Sequence, residues 1–282
     1  MNKLAGRRQR SGHESSQQRP AWLTEPSWYL WDGGFLLLGR SEGMIGAHTH
    51  HAIQVVIALN GEPAVCAEDG NWQSGRGFIV LPDVVHSYDG RGAEGAMLFV
   101  DPESNEGEWL RASLTHQITF VPESRLAACS SEIRRLCGHP LESMEVRSLI
   151  RHCIHSLCAG VPPSRRWDSR ITASLNAIRE SKDLRVSLED IAASQFLSPS
   201  RFSHLFAEQV GLPFRRYLLW RKLARAMLAI GQGETMTDAA QAADFADAAH
   251  LTRTFNQMFG IAPSVLMRGR FFEISSPFEA RH

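Results

Sequence analysis

Two stretches of this chain read alike. Phe196-Leu197-Ser198-Pro199-Ser200-Arg201-Phe202-Ser203-His204-Leu205-Phe206, closed by Gly211, lines up forty-nine positions later with Phe245-Ala246-Asp247-Ala248-Ala249-His250-Leu251-Thr252-Arg253-Thr254-Phe255, closed by Gly260. Both copies carry the marks of a bounded helix of about three turns. Ser198 is placed as an N-cap with Pro199 in the first helical position, Asp247 is the matching cap, and Gly211 and Gly260 stand where a helix ends in a left-handed residue. Phe202, Leu205, Phe206 and Val210 make one apolar face of the first copy and leave Ser200, His204 and Ala207 outside; Leu251, Phe255 and Phe259 do the same in the second, with Ala249, Arg253 and Asn256 outside.

A shorter helix is expected before each copy, Leu188 to Ser194 capped by Ser187 and about Asp238 to Ala243 capped by Thr237. A short helix, a brief turn and a longer helix with a polar outer face is the helix-turn-helix arrangement, whose second helix enters a major groove of duplex DNA. The two units are uneven. The alignment gives the first a core of Leu188, Ile191, Phe196, Phe202, Leu205 and Phe206, whereas the second has Ala239, Ala243 and Asp244 in comparable places, so the second is expected to open more easily.

Residues 170 to 270 resemble the DNA-binding domain of the AraC/XylS family of bacterial transcription regulators, on the run Leu197 to Phe206 and on Phe255 followed by Phe259-Gly260-Ile261-Ala262-Pro263. The resemblance implies two helix-turn-helix units joined by a long helix, here about Phe214 to Ile230. It places the DNA-facing positions on Ser200, Arg201, Ser203 and His204 in the first reading helix and on Ala248, Ala249, Thr252 and Arg253 in the second. Arg253 can bind guanine O6 and N7 bidentately, while Ala248 and Ala249 can offer only apolar contact to a thymine methyl. Three positions depart from the family pattern: Asp244 replaces a glycine in a turn that calls for positive φ, Ala239 and Ala243 replace larger aliphatics, and Val265-Leu266-Met267 replaces an aromatic and an arginine.

The remaining sequence bounds what accompanies this domain. With 282 residues, 43% hydrophobic and 21% charged, the chain is expected to be an ordinary globular protein of about two domains. No apolar run reaches the ~18 residues of a membrane helix, and the N-terminus lacks the apolar core of a secretory signal. Cys66, Cys129, Cys137, Cys153 and Cys158 are an odd number without a C-x-x-C pair, so neither a disulfide framework nor a zinc ribbon is expected, and a cytoplasmic, nucleoid-associated protein fits. Thirty basic residues balance thirty acidic ones, but unevenly. Residues 1 to 19 hold five basic and one acidic, residues 20 to 169 eleven and eighteen, and residues 170 to 282 fourteen and eleven. An acidic middle followed by a basic end suits a chain whose C-terminal part meets a polyanion.

From Trp28 to about Val121 short apolar or alternating runs (Phe35 to Leu38, Ile53 to Leu59, Phe78 to Leu81, Ala96 to Val100, Ile118 to Val121) predict a β-sandwich or small barrel, followed by helices after Pro122. The expected organisation is a disordered basic tail over 1–20, a sensor domain with C-terminal helices over 21–160, a Pro-rich linker over 161–169, the DNA-binding domain over 170–272 and a tail over 273–282. The first domain resembles a cupin barrel through Gly43, His48-Thr49-His50, Gln54, Gly61, Gly77, Leu81-Pro82 and His86. That resemblance implies a site of His48, His50, Gln54 and His86, with Gln54 where metal-binding cupins carry Glu. Two residues apart, His48 and His50 point to one side of a strand and can converge. The site reads either as an effector pocket needing no cofactor or as a divalent-metal site held by His48, His50 and His86. Nothing places Trp72 or His51 in it.

His152, Cys153, His155 and Cys158 share a helix, but Cys153 continues the stripe Leu149, Ile150, Ile154 and Leu157 and reads as core. That helix, residues 141 to 159, either packs on its own barrel or pairs two copies. The function this implies is a non-enzymatic transcription regulator. Its partners would be promoter DNA, a small-molecule effector and, for an activator, RNA polymerase. A metal-dependent cupin oxygenase fused to a DNA-binding domain is the alternative.

Overall fold

The computed structural model describes residues 26–138, 142–160, 167–181 and 184–274. The expected basic tail, residues 161–166 of the expected linker and the last eight residues lie outside them. Eleven strands and nine helices follow along the described chain. The strands are β1 (Ser27–Trp31), β2 (Gly34–Ser41), β3 (Met44–His48), β4 (Ile53–Asn60), β5 (Ala64–Ala67), β6 (Trp72–Ser74), β7 (Gly77–Val80), β8 (His86–Asp89), β9 (Ala93–Val100), β10 (Ile118–Phe120) and β11 (Arg270–Glu273). The helices are α1 (Asn105–Ala112), α2 (Glu123–Gly138), α3 (Ser143–Leu157), α4 (Ser169–Glu180), α5 (Leu188–Ser194), α6 (Pro199–Val210), α7 (Phe214–Gly231), α8 (Met236–Ala242) and α9 (Ala248–Phe259); a 3-10 helix spans Pro263–Arg268.

Strand order is β10-β7-β4-β9-β2-β1-β11 in a seven-stranded sheet and β3-β8-β5-β6 in a four-stranded one. The period-2 pattern of β4 decides which face goes where. Ile53, Val55, Ile57 and Leu59 join Leu36, Leu38 and Leu98 beneath α2 and α3, whose Leu126, Ile133, Leu149, Ile150, Cys153 and Ile154 complete that core. Gln54 and Val56 point the other way, where Val56, Phe78 and Val80 meet Val65 and Tyr88 of the four-stranded sheet. The apolar stripe of α3 is therefore buried against its own domain.

The C-terminal helices form two cores, and the second is shared. Phe202, Phe206, Val210, Phe214 and Tyr217 pack with Ile171, Ile178 and Ile191 around the first helix-turn-helix unit. Ala239, Ala240 and Ala243 are fully buried together with Phe245, Leu251, Phe255 and Phe259, and this cluster continues into Trp28, Leu30, Phe35 and Phe99 of the seven-stranded sheet. The unit with small residues thus fills its core with the neighbouring domain's aromatics. β11 extends the joint: it pairs in parallel with β1, from Ser27↔Arg270 to Leu30↔Glu273. The boundary expected between residues 272 and 273 cuts this strand, which Arg270-Phe271-Phe272-Glu273, four residues without alternation at the end of a helical domain, did not announce.

Candidate functional site

α6 and α9 begin and end as their caps dictate. Ser198 Oγ accepts from Arg201 N at 3.3 Å and Asp247 Oδ1 from His250 N at 2.6 Å, while Gly211 (φ 98°) and Gly260 (φ 66°) close α6 and α9. The cap of α8 is Thr235, which accepts from Asp238 N at 3.2 Å, and not Thr237. The turns inside the two units differ in length. Phe196 (φ 55°) and Asp244 (φ 58°) are the left-handed residues, followed by Leu197 N donating to Ala192 O and Phe245 N donating to Ala240 O. From left-handed residue to N-cap is two positions in the first unit (196 to 198) and three in the second (244 to 247). The counterpart of buried Phe245 is therefore Leu197; Phe196, expected in the core, is 97% exposed.

Ser200, Arg201, His204, Ala249 and Arg253 lie exposed on α6 and α9, and Ser203, Ala248 and Thr252 are half-buried beside them. Thr252 donates its hydroxyl to Ala248 O at 2.8 Å, so toward DNA it can only accept. Asp244 ties the second unit to the entry of the first, accepting from Leu184 N and Arg185 Nε at 2.9 Å each while its carbonyl accepts from Lys222 Nζ. A glycine there would supply the φ and the carbonyl but not the two carboxylate bonds.

His48, His50 and His86 come together from β3, the following turn and β8, with His48 opposite His86 across the strand pair. One ligand atom from each lies within 4.8 Å of the others. Each ring turns Nδ1 to a backbone carbonyl: His48 to Gly46 at 2.9 Å, His50 to Ala52 at 3.1 Å and His86 to Val84 at 3.0 Å. In a neutral ring that pins the proton on Nδ1 and leaves Nε2 as a lone pair, the arrangement in which histidines serve as metal ligands. Nε2 of His50 and of His86 each lie 3.0 Å from the end of the Gln54 amide, whose other end meets Met97 Sδ at 3.4 Å. With its oxygen inward the amide completes a neutral N3O donor set around a cation; rotated by 180° it donates one N–H to each ring and the cluster is satisfied without one. The residues fit a divalent ion in donor type. Burial first, then the neighbouring imidazoles, lowers the His50 and His86 pKa values, the latter to about 4; burial lowers that of His48.

A cavity of about 620 Å³ opens beside this cluster, between the inner face of the seven-stranded sheet and the end of α9. Phe255, Phe259, Ile261 and Val265 of the C-terminal domain line it together with Phe35, Leu37, Val56 and Met97 of the sheet. Phe259 is the keystone: its ring centroid lies 5.6 Å from Phe99, 5.8 Å from Phe35 and 5.9 Å from His50. The helix end approaches so closely that a Cβ on Gly260 would stand 2.4 Å from Ile45 Cγ2, so glycine is required there for space as well as for φ.

Beyond the cavity the same interface carries charges that sequence reading missed. Arg179 of α4 binds Asp101 at 2.8 Å, and Arg221 of α7 binds Asp32. His51 lies between Glu103 at 2.7 Å and Asp83 at 2.8 Å. Burial alone would lower the His51 pKa, but the two carboxylates outweigh it and carry it to about 10. Burial, reinforced by Asp101 against the pull of His51, raises Glu103 to about 7. Burial likewise opposes ionisation of Asp101, yet Arg179 keeps its pKa below the usual carboxylate range. A buried arginine on an otherwise apolar helix face, Arg221 between Leu218 and Ala224, was the available signal.

Residues 191–269 match the family described as a helix-turn-helix domain, of AraC type. The chain is 20% identical to the probable transcriptional regulator LumQ of Photobacterium leiognathi over 80% of this chain and 92% of LumQ. It is 24% identical to the HTH-type transcriptional regulator YpdC of Escherichia coli K12 over 52% of this chain and 54% of YpdC. Among solved structures, unsaturated fatty acid bound ToxT of Vibrio cholerae superposes with a TM-score of 0.52 at 10% identity, covering 84% of this chain and 94% of ToxT. At that identity the likeness is one of fold: a β-rich part followed by helical helix-turn-helix units. Among the described residues no helix is long and apolar enough to cross a membrane.

Proposed function

We infer that the chain, which carries an AraC-type helix-turn-helix domain over residues 191–269, couples small-molecule sensing in its β-domain to promoter binding by α6 and α9. The observation that supports this is the double duty of α9. Its outer face holds Ala249, Thr252 and Arg253, and its inner face supplies Phe255 and Phe259 to the cavity wall. A ligand in that cavity touches the helix proposed to read DNA. It shifts binding only if its affinity differs between DNA-competent and DNA-incompetent arrangements, and a cavity wall shared with α9 makes that affinity depend on where α9 stands.

His48, His50, Gln54 and His86 stand at the inner end as the polar groups that orient the effector. Where a divalent ion enters, the three Nε2 atoms and Gln54 Oε1 would hold it, and the ion would supply a Lewis-acid point for an effector donor atom. That ToxT, of the same fold, was solved with an unsaturated fatty acid supports an apolar small molecule as the effector class. The reading needs no catalytic step, and it places the chain in the cytoplasm with the nucleoid; RNA polymerase becomes a partner if the output is activation. Since the apolar stripe of α3 is buried, pairing of two copies through this helix would use its outer face, where Met144 is 69% exposed.

Binding of the full chain to fragments of its own genome, followed by fluorescence anisotropy across a salt series, tests the reading. Affinity is expected to fall steeply with salt as phosphate contacts release counterions. Salt-independent affinity, or no fragment bound, overturns it. Oxygen uptake by the Fe(II)-loaded chain would instead support the oxygenase alternative.

A further inference from the structure

We propose that the cavity selects an elongated apolar ligand with an uncharged, hydrogen-bond-donating head, an aliphatic alcohol in chemical class, and discriminates against carboxylates. The proposal rests on the cavity being the effector seat. Its walls are apolar along most of their length, through Leu37, Val56, Met97, Phe255, Phe259 and Ile261, and its volume of about 620 Å³ suits a small molecule.

Charge at the rim argues against an anion. Among the described lining residues the ionised ones are Arg40, Glu42 and Glu94. Arg40 Nε lies 2.9 Å from Glu42 Oε1 and its Nη1 lies 3.9 Å from Glu94 Oε1, while Asn60 donates to the other Glu94 oxygen at 2.9 Å. The one guanidinium on the wall is thus already held between two carboxylates, and the rim carries one more negative charge than positive. An incoming carboxylate meets no uncompensated cation there.

Hydrogen-bond polarity at the inner end argues the same way. His48 lines the cavity with Nδ1 turned to Gly46 O, so the ring nitrogen left to a ligand is Nε2, an acceptor in the neutral ring. The Gln54 amide is engaged by His50, His86 and Met97. A hydroxyl can donate to the His48 lone pair. A carboxylate brings only acceptors to an acceptor, away from water.

The test is calorimetric titration of the full chain, treated with chelator so that no ion stands between head and imidazole, with 1-decanol and with sodium decanoate at pH 7.5. Decanol is expected to bind at least tenfold more tightly. In the double variant Glu42→Gln/Glu94→Gln, which leaves Arg40 unpaired, decanoate binding is expected to strengthen until the ratio falls below threefold. Decanoate binding the parent as tightly as decanol overturns the ligand class and leaves the seat standing. Failure of both probes to bind the parent overturns the seat as well, and an unchanged ratio in the variant overturns the role given to the rim.

Discussion

The imidazole of His50 and the ring of Phe259 lie against each other, centroids 5.9 Å apart and planes 30° from parallel. One belongs to the polar cluster of the β-domain and the other to the last turn of α9, so the chemistry of the site and the position of α9 meet in this contact. Phe259→Ala removes this ring together with its packing on Phe99, Phe35 and Phe255. A destabilisation of about 3–5 kcal/mol is expected from transfer and cavity terms. Denaturant unfolding of parent and variant measures it, and a loss below 1 kcal/mol would mean the domains are held by something else.

Arg179 and Asp101 tie the two domains with side chains 14% and 10% exposed. Removing one partner leaves the other buried and unpaired, so Arg179→Met or Asp101→Asn alone is expected to cost about 3–5 kcal/mol. The double variant should lose less than the sum of the singles. Denaturant unfolding of all four proteins closes the cycle, and additive losses would show that the pair does not couple.

The folded-state pKa of His51 stands at about 10, above its ordinary 6.5, because Glu103 and Asp83 outweigh its burial. A raised pKa means stability fully present below 6.5 and lost as pH climbs to 10, by about 1.4 kcal/mol per unit within that window. Glu103, raised to about 7, adds a loss of the same sign between its ordinary 4.5 and 7. Stability should therefore fall from pH 7 to 10. His51→Gln is expected to flatten that limb, and a limb equally steep in the variant would locate the titrating group elsewhere.

His204 and Arg253 lie exposed on α6 and α9, the helices proposed to read DNA. Substitution of either by Ala is expected to cost roughly 1–3 kcal/mol of specific binding and to relax sequence preference in its own groove alone. Selection of sites from random DNA by each variant reads this directly. Uniform weakening on all sequences with half-site preference retained would make the residue a phosphate contact.

Gln54→Glu places a carboxylate where two imidazole Nε2 atoms converge at 3.0 Å. Compensating an ion's charge should tighten Zn(II) binding by at least tenfold, measured by equilibrium dialysis. Unchanged affinity would mean the three histidines do not act on a common ion.

Much of this architecture was legible because it is written in local chemistry. Caps at Ser198 and Asp247, glycines at 211 and 260 and the apolar spacing of each helix are short-range signals, and the period-2 run Ile53 to Leu59 marks its strand. His48, His50, Gln54 and His86 could be grouped because the cupin resemblance supplied them; the strand periodicity expected to carry the first pair does not, since β3 ends at His48 and His50 lies in the turn beyond it. Phe196 was misplaced for an equally local reason: aligning the repeat on its phenylalanines hid an extra residue in the second turn, which positive φ at Phe196 and Asp244 reveals.

Short-range signals in the sequence were enough for the two helix-turn-helix units, the caps and end glycines of α6 and α9, and the strands of the β-domain, since each depends on residues a few positions apart. Tertiary structure alone decided that the second unit completes its core with Trp28, Phe35 and Phe99, that β11 joins β1, and that Asp32, Asp101 and Glu103 receive Arg221, Arg179 and His51. Those contacts join residues up to 243 positions apart, as Ser27 and Arg270 are. No periodicity records such a separation, because burial of a charge or an aromatic is defined by the surface that folds over it and not by its neighbours along the chain.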